Sequence, residues 1–414
     1  MKRILAACLA VSCCTSAFVA RADESSFTLA QALERAGETS PAIESGAAGV
    51  LVAQAARTVA GLRPNPELNI QTENVAGSGD YRGFRSAETT AQVTLPLELG
   101  GKRPARVALA NAQQDRAQIE QAVIAADLRL AVTQAYVTAV SAAERATVAQ
   151  RQVTIAAEAL RSAQVRVRAG RASPLEAQRA ELAHLNAQAT QEQAERLANV
   201  ARANLGRMIG APVAGALDLR WFETLAVAGP VDRAAMRDML TARAAALDVA
   251  TADAQVRLAG AQRVPDLQLF AGPRRLSGSN DTAMLMGINI PLQIFDNGGA
   301  AQAQARAERQ RADATRRMTE IQLDQAIASA DAEVANAETA ARIASGPALA
   351  AAQEAARIAR IGYREGKFGQ IDLIEAERTL LDTRMAAIDA LATYHDASAR
   401  RDRLVAPASQ IAKD

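Results

Sequence analysis

Between Ala105 and Ala169 the sequence runs for 65 residues without a glycine or a proline. As a single helix this run would reach about 100 Å, far beyond the diameter of a small domain. Such a helix must be covered along its flanks by other long helices. The composition agrees: about 100 residues, roughly a quarter of the chain, are alanine, and only 12 of 414 are aromatic. Alanine is the best helix former and lets neighbouring helices approach closely. It buries little area per residue, so it cannot fill the two or three globular cores that the length would otherwise suggest.

The charge is nearly balanced, with 47 basic and 45 acidic residues, which excludes a strongly basic nucleic-acid binder. The 49% content of hydrophobic residues excludes an acidic disordered chain. No 18-residue apolar run is expected beyond the N-terminus, which argues against a helical integral membrane protein. The N-terminus itself begins with Met1-Lys2-Arg3, continues as the apolar stretch Ile4 to Ala20, and offers a small-x-small site at Ala20-Arg21-Ala22. It reads as a secretory signal peptide over residues 1–22. Cys8, Cys13 and Cys14 all lie inside it, so the mature chain has no cysteine, which suits an oxidising compartment. The alternative is a lipidated cysteine. Leu5-Ala6-Ala7-Cys8 has lipobox letters but leaves too short an apolar core, and Ala10-Val11-Ser12-Cys13 lacks the leading aliphatic residue.

Internal repetition organises the remainder. Pro66-Glu67-Leu68-Asn69-Ile70 resembles Pro265-Asp266-Leu267-Gln268-Leu269, and Pro96-Leu97-Glu98-Leu99 resembles Pro291-Leu292-Gln293-Ile294. Gly170, Glu176, Ala180 and Glu181 recur as Gly366, Asp372, Ala376 and Glu377. The order is kept and the offset stays near 196 residues, so the chain reads as a tandem duplication. The expected layout is a first repeat over 23–210, a non-periodic linker over 211–230 containing Trp221, a second repeat over 231–406 and a tail over 407–414.

Each repeat opens with a helical pattern, Thr28 to Leu62 interrupted at Pro41 in the first and Val231 to Arg263 in the second. A pair of alternating segments follows. Leu68 and Ile70, then Ala91, Val93 and Leu95, alternate with polar residues in the first repeat. Leu267 and Leu269, then Met284, Met286, Ile288 and Ile290, do so in the second. Period-two alternation predicts strands, and Gly77 to Asp80 and Ser277 to Asp281 supply turn chemistry, giving one hairpin per repeat. Long helical runs come next: Ala105 to Ala169 and Leu175 to Leu205, then Ala300 to Ser345, Ala348 to Ile361 and Ile371 to Ala406. Small and apolar residues at three- and four-residue steps, such as Ile124, Leu128, Ala131 and Ala135, mark coiled-coil seams. Gly346-Pro347 predicts a break or marked kink, because proline removes a donor and clashes with the preceding turn.

Alternating strands of this kind match outer-membrane barrel strands, yet four cannot close a barrel, and open edges cannot face lipid. Closure demands oligomerisation: two chains supply eight strands and three supply twelve, and only the larger ring leaves a channel. A soluble periplasmic coiled coil with hairpin caps is the competing, non-transport reading.

The duplicated unit, the paired hairpins and the two glycine-containing helix turns with acidic helix starts resemble the TolC family of outer-membrane efflux factors. This resemblance spans essentially the whole mature chain. The run Pro96-Leu97-Glu98-Leu99-Gly100-Gly101-Lys102-Arg103 is similar to the branch serving heavy-metal pumps for cobalt, zinc, cadmium, nickel or copper. The resemblance implies a mainly α fold with a small β part, in which a long antiparallel coiled-coil α-barrel crosses the periplasm. Four β-strands per chain then contribute to a trimeric 12-stranded transmembrane β-barrel. It implies a homotrimer in outer membrane lipid, a periplasmic adaptor (membrane fusion) protein and an inner-membrane proton-driven resistance–nodulation–division pump. The implied function is export of divalent metal cations, with drug efflux or type I secretion as the alternative cargoes.

The helix turns at Gly170 to Pro174 and at Gly366 to Gln370 lie farthest from the hairpins in sequence, which puts Gly170, Pro174, Gly366 and Gly369 at the periplasmic tips, where the resemblance implies adaptor contact. Asp372 and Glu375 are three apart and share a helix face; in a trimer they form two stacked carboxylate rings that favour cations. They resemble the family's tip gate, in which two acids follow a Tyr-x-x-Gly turn, here Tyr363-Arg364-Glu365-Gly366. Tyr363 carries over as the residue that holds the gate closed by hydrogen bonding. The family's basic partner is unmatched, since Phe368 stands there with Lys367 adjacent. Glu176 and Glu181 read as ordinary acids complementing a helix dipole. His184 and His395 lie on different repeats without metal-ligand spacing and read as helix-surface residues. No nucleophile motif or phosphate loop is present, so neither enzyme activity nor a cofactor is expected.

Overall fold

A computed structural model describes residues 26–226, 229 and 233–408. The proposed signal peptide, its cleavage site and residues 409–414 lie outside them. Two helices come first, α1 (Leu29–Thr39) and α2 (Pro41–Ala60), divided where Ser40 caps the second and Pro41 occupies its first position. Strands β1 (Glu67–Glu73) and β2 (Glu88–Leu97) lead into the 67-residue helix α3 (Lys102–Arg168) and its return, α4 (Pro174–Met208). A short α5 (Leu219–Glu223) lies in the linker. Then come α6 (Leu240–Gln262), β3 (Leu267–Leu276), β4 (Asp281–Asn289), α7 (Gly299–Ile343), α8 (Leu349–Arg364) and α9 (Gln370–Leu404).

The four strands form one antiparallel sheet in the order β1-β2-β3-β4, and its register is constant along every pair. The attached helices keep this order, α2 against α3, α3 against α6, and α6 against α7. Sheet and helical layer therefore keep one lateral order and form a continuous wall with two edges, β1 with α2 and β4 with α7. Farther from the sheet, α3 packs on α4 and α9, α7 packs on α9, and α9 packs on α8; the waist is where α3 and α9 meet the linker.

The Pro96 to Arg103 run is the joint between strand and helix. Gly100 and Gly101 adopt left-handed backbone with φ of 70° and 74°. A Cβ on Gly100 would lie 2.5 Å from Val264, so the chains cross too closely there for any side chain. Lys102 pairs with Asp266 at 2.7 Å, Asp266 also accepts from the Leu99 N–H at 3.1 Å, and Glu98 pairs with Arg106. The two Asp266 contacts tie the first hairpin to the second, while the Glu98–Arg106 pair braces the joint within the first repeat.

Three expectations need correction. The second repeat's opening helix starts at Leu240, because Arg233–Asp238 is a short 3₁₀ segment. One 18-residue stretch of α3 is apolar enough, by length and composition, to cross a membrane. That helix also carries Val132, Tyr136, Ala139 and Val140, which are buried in the main hydrophobic cluster. The third concerns His395, which packs against the linker. Phe222 of the linker is 2% exposed. His395, expected on a helix surface, is buried between Trp221 (ring centroids 4.2 Å apart) and Phe222 (5.5 Å), and its Nε2 donates to the Phe222 carbonyl at 2.8 Å. Tyr136 donates to the Phe27 carbonyl (2.7 Å) and accepts from the Asp218 N–H (3.1 Å), while Tyr394 and Arg401 hold the carbonyls of Ala226 and Gly229. The segment is a belt stitched around the waist, and burial pushes the Tyr136 hydroxyl up to about 12. His184 is half-buried on α4, and its Nδ1 has no hydrogen-bond partner among the described residues.

Burial lowers the pKa of His395 below its ordinary value, so the unfolded chain takes up the proton first. Stability contributed by the belt is present above about pH 6.5 and falls as pH drops below it. Thermal unfolding of the wild-type chain between pH 7.5 and 5 is expected to lose more stability than that of His395→Phe, which keeps an aromatic ring but cannot titrate.

The predicted interruption at Gly346-Pro347 is a single wide π-type turn, Ala344–Ala348, in which Gly346 leaves helical geometry (φ −100°, ψ −106°). Pro347 has no N–H for the ladder, and the turn widens to accommodate its ring.

Candidate functional site: the helix-turn tips

The two interhelical turns meet at the end of the molecule away from the sheet. In the first, Gly170 closes α3 with φ of 68°, Ser173 caps α4 by accepting from the Leu175 N–H, and Pro174 fills the first helical position. In the second, Gly366 (φ 75°) closes α8, and the N–H groups of Lys367 and Phe368 both return to the Gly362 carbonyl. Phe368 folds onto Gly362 so closely that a Cβ there would lie 2.2 Å from the ring. Phe368, at the position where the resemblance implies a basic residue, is thus a hydrophobic lid on the turn.

Tyr363 is 8% exposed and joins the two turns. Its hydroxyl donates to Glu176 Oε1 at 2.8 Å, and the Arg166 guanidinium lies over its ring, 4.8 Å from the centroid. Arg166 also stands 3.7 Å from Glu176, and Gln370 donates to the Glu176 carbonyl at 3.3 Å. Burial, and then the Glu176 carboxylate, raise the pKa of the Tyr363 hydroxyl. Glu176 is therefore more than a helix-dipole acid, although it does sit in the first turn of α4. Its recurrence at the position of Asp372 was the only sequence signal for it; the contact with Tyr363, 187 residues away, needed the fold. Beneath this link Arg360 makes a two-point ion pair with the buried Glu377, joining α8 to α9.

Asp372 and Glu375 lie on the exposed side of α9. Asp372 accepts from the Gly369 N–H at 2.9 Å, and neither carboxylate forms an ion pair with any described residue. Their negative charge is left uncompensated at the tip, together with the exposed apolar Ile371 and Ile374. No group of three metal-ligating side chains occurs among the described residues.

The chain matches the outer membrane efflux protein family over residues 32–211 and 238–405. It belongs to that family. A cobalt-zinc-cadmium resistance protein, CzcC of Cupriavidus metallidurans, is 28% identical over 83% of this chain and 81% of its own length. The nickel and cobalt resistance protein CnrC of the same organism is 31% identical over 74% of this chain and 73% of its own. Among solved structures, CusC superposes with a TM-score of 0.75 at 16% identity, covering 91% of each chain. The outer membrane protein VceC of Vibrio cholerae gives 0.73 at 18% identity, covering 92% of this chain and 96% of that one. The fold is accordingly that of an outer-membrane channel, mainly helical with strands for a β-barrel.

Proposed function

We propose that this efflux-family chain is the outer-membrane exit duct of a tripartite, proton-driven pump that exports divalent heavy-metal cations of the cobalt, zinc, cadmium, nickel or copper class. The observation that carries the cargo is relatedness over most of both lengths to two metal-resistance proteins. The wall's two edges support a ring: β1 with α2 on one side and β4 with α7 on the other are different surfaces, and a head-to-tail interface of this kind closes by rotation. Three copies give twelve strands, enough for an open lumen. The exposed Leu68, Ile70, Met284 and Met286 on one face of the sheet then meet lipid. Export by cleavage after Ala22, the repeat boundaries at 23–210 and 231–406, and partnership with an adaptor at Gly170, Pro174, Gly366 and Gly369 and with a resistance–nodulation–division pump belong to the same reading.

In it, Tyr363 with Glu176 and Arg166 holds each protomer's tip closed, and Asp372 and Glu375 line the entrance as cation-attracting rings. Metal passes without tight binding, since conduction requires release. Deleting the gene should sensitise the cell to one or more of these metals, with restoration by the wild-type chain. Unaltered metal tolerance combined with new sensitivity to drugs, or loss of a secreted protein, would replace the metal reading with the other cargo classes.

A further inference from the structure

The constant register assigns every strand residue to one of two faces. One carries Leu68, Ile70, Val93, Leu95, Met284 and Met286, all exposed and apolar. The other is polar, with Asn69, Gln71, Thr90, Gln92 and Asn289 among its residues, and in a closed barrel it faces the lumen. The acids Glu67, Glu73, Glu88 and Asp281 share that polar face, and Arg274 is its one basic residue within the strands.

Arg274 sits opposite Thr90 and reaches across two strands. Its Nε donates to Thr90 Oγ1 at 2.9 Å, Nη1 donates to Glu88 at 3.1 Å, and Nη2 lies 3.7 Å from Glu73. These groups belong to β3, β2 and β1, so one side chain stitches three strands. They lie at the end of the sheet away from the helices, where residues 74–87 and 277–280 connect the strands. Asp281 starts β4 at this same end. On the polar face, the strand ends at this rim present three carboxylates (Glu73, Glu88, Asp281) and one guanidinium per chain, while Arg275 lies on the opposite face and Asp80, Arg82 and Arg85 lie in the connecting segment.

We propose that Arg274 is a specificity-determining residue at the outer mouth of the duct: it offsets part of the carboxylate charge there and so sets how strongly the exit prefers cations. This rests on the trimeric-duct reading and adds to it a second charge-selective station, at the opposite end from Asp372 and Glu375. A fixed charge on a ring lining a narrow passage acts on every ion that traverses it, and three copies multiply its effect. The arginine limits the local negative potential, so that cations leaving the duct are not held at the rim.

The experiment measures reversal potentials of purified trimers in planar bilayers under a KCl gradient. Asp372→Ala/Glu375→Ala serves as the background, so that the tip does not mask the rim. Arg274→Gln should raise the potassium-over-chloride permeability ratio several-fold, and Arg274→Lys should leave it near the background value. Glu73→Gln/Glu88→Gln, with Arg274 intact, should lower it, which keeps the proposal testable if Arg274→Gln assembles poorly. An unchanged ratio in Arg274→Gln or in the Glu73/Glu88 pair would overturn the proposal. So would an equal change in the Lys and Gln variants, which would mean a shape effect rather than charge. Absence of any conducting trimer from the unaltered chain would instead overturn the duct reading itself.

Discussion

Tyr363→Phe should open the channel. The variant removes one hydroxyl whose donor bond to Glu176 is the hydrogen bond between side chains that joins the α3–α4 and α8–α9 turns, leaving the Arg166 contact on the ring in place. A hydrogen bond of this kind contributes about 1 kcal/mol net, and loss of it leaves a carboxylate still near Arg166, which limits the penalty. In a trimer the link occurs three times. Together the losses amount to about 3 kcal/mol, or on the order of a hundredfold in the closed-to-open equilibrium. Single-channel recordings of purified trimers should show higher mean conductance and longer open periods. Glu176→Gln should behave in the same direction but more weakly, because an amide oxygen still accepts from the tyrosine. If Tyr363→Phe conducts like the wild type, the Tyr363–Glu176 link does not hold the tip closed.

Asp372→Ala/Glu375→Ala should lower cation selectivity at the entrance. Neither carboxylate forms an ion pair with any described residue, so a ring of three protomers would concentrate six carboxylates around the tip opening. Removing them lowers the local cation concentration and hence the potassium-over-chloride permeability ratio, several-fold at low salt and less at high salt, where charges are screened within about 3–10 Å. Asp372 also accepts the Gly369 N–H, and its loss costs the start of α9 about 1 kcal/mol. Glu375→Ala alone avoids that structural cost and isolates the electrostatic effect. Unchanged selectivity in both variants would remove these residues from the proposed role.

The long helices, the hairpins and the tips were legible because each is written locally. Glycine- and proline-free runs, period-two alternation and glycine-proline turns all report on residues within one or two turns of one another. The waist was not. Trp221, Phe222 and His395 come from segments more than 170 residues apart, and no periodicity announces that a polar imidazole will be stacked in the core. The same holds for Glu176. Its place at the start of α4 is a sufficient local explanation, and only the approach of α8 gives it a hydroxyl to accept from.

By itself, then, the sequence determined the element types and their order, and it carried the expectation that four strands need further chains to close. These follow from propensity, from backbone conformations open to glycine, and from the cost of unpaired strand edges, all of which act at short range. The tertiary structure alone decided which side chains face one another across the wall. The belt around His395, the Tyr363–Glu176–Arg166 link and the Arg274 stitch each depend on the lateral order and register of elements distant in the chain. Between elements that no turn joins, such as β2 and β3, register is set by the packing of whole faces rather than by a local loop.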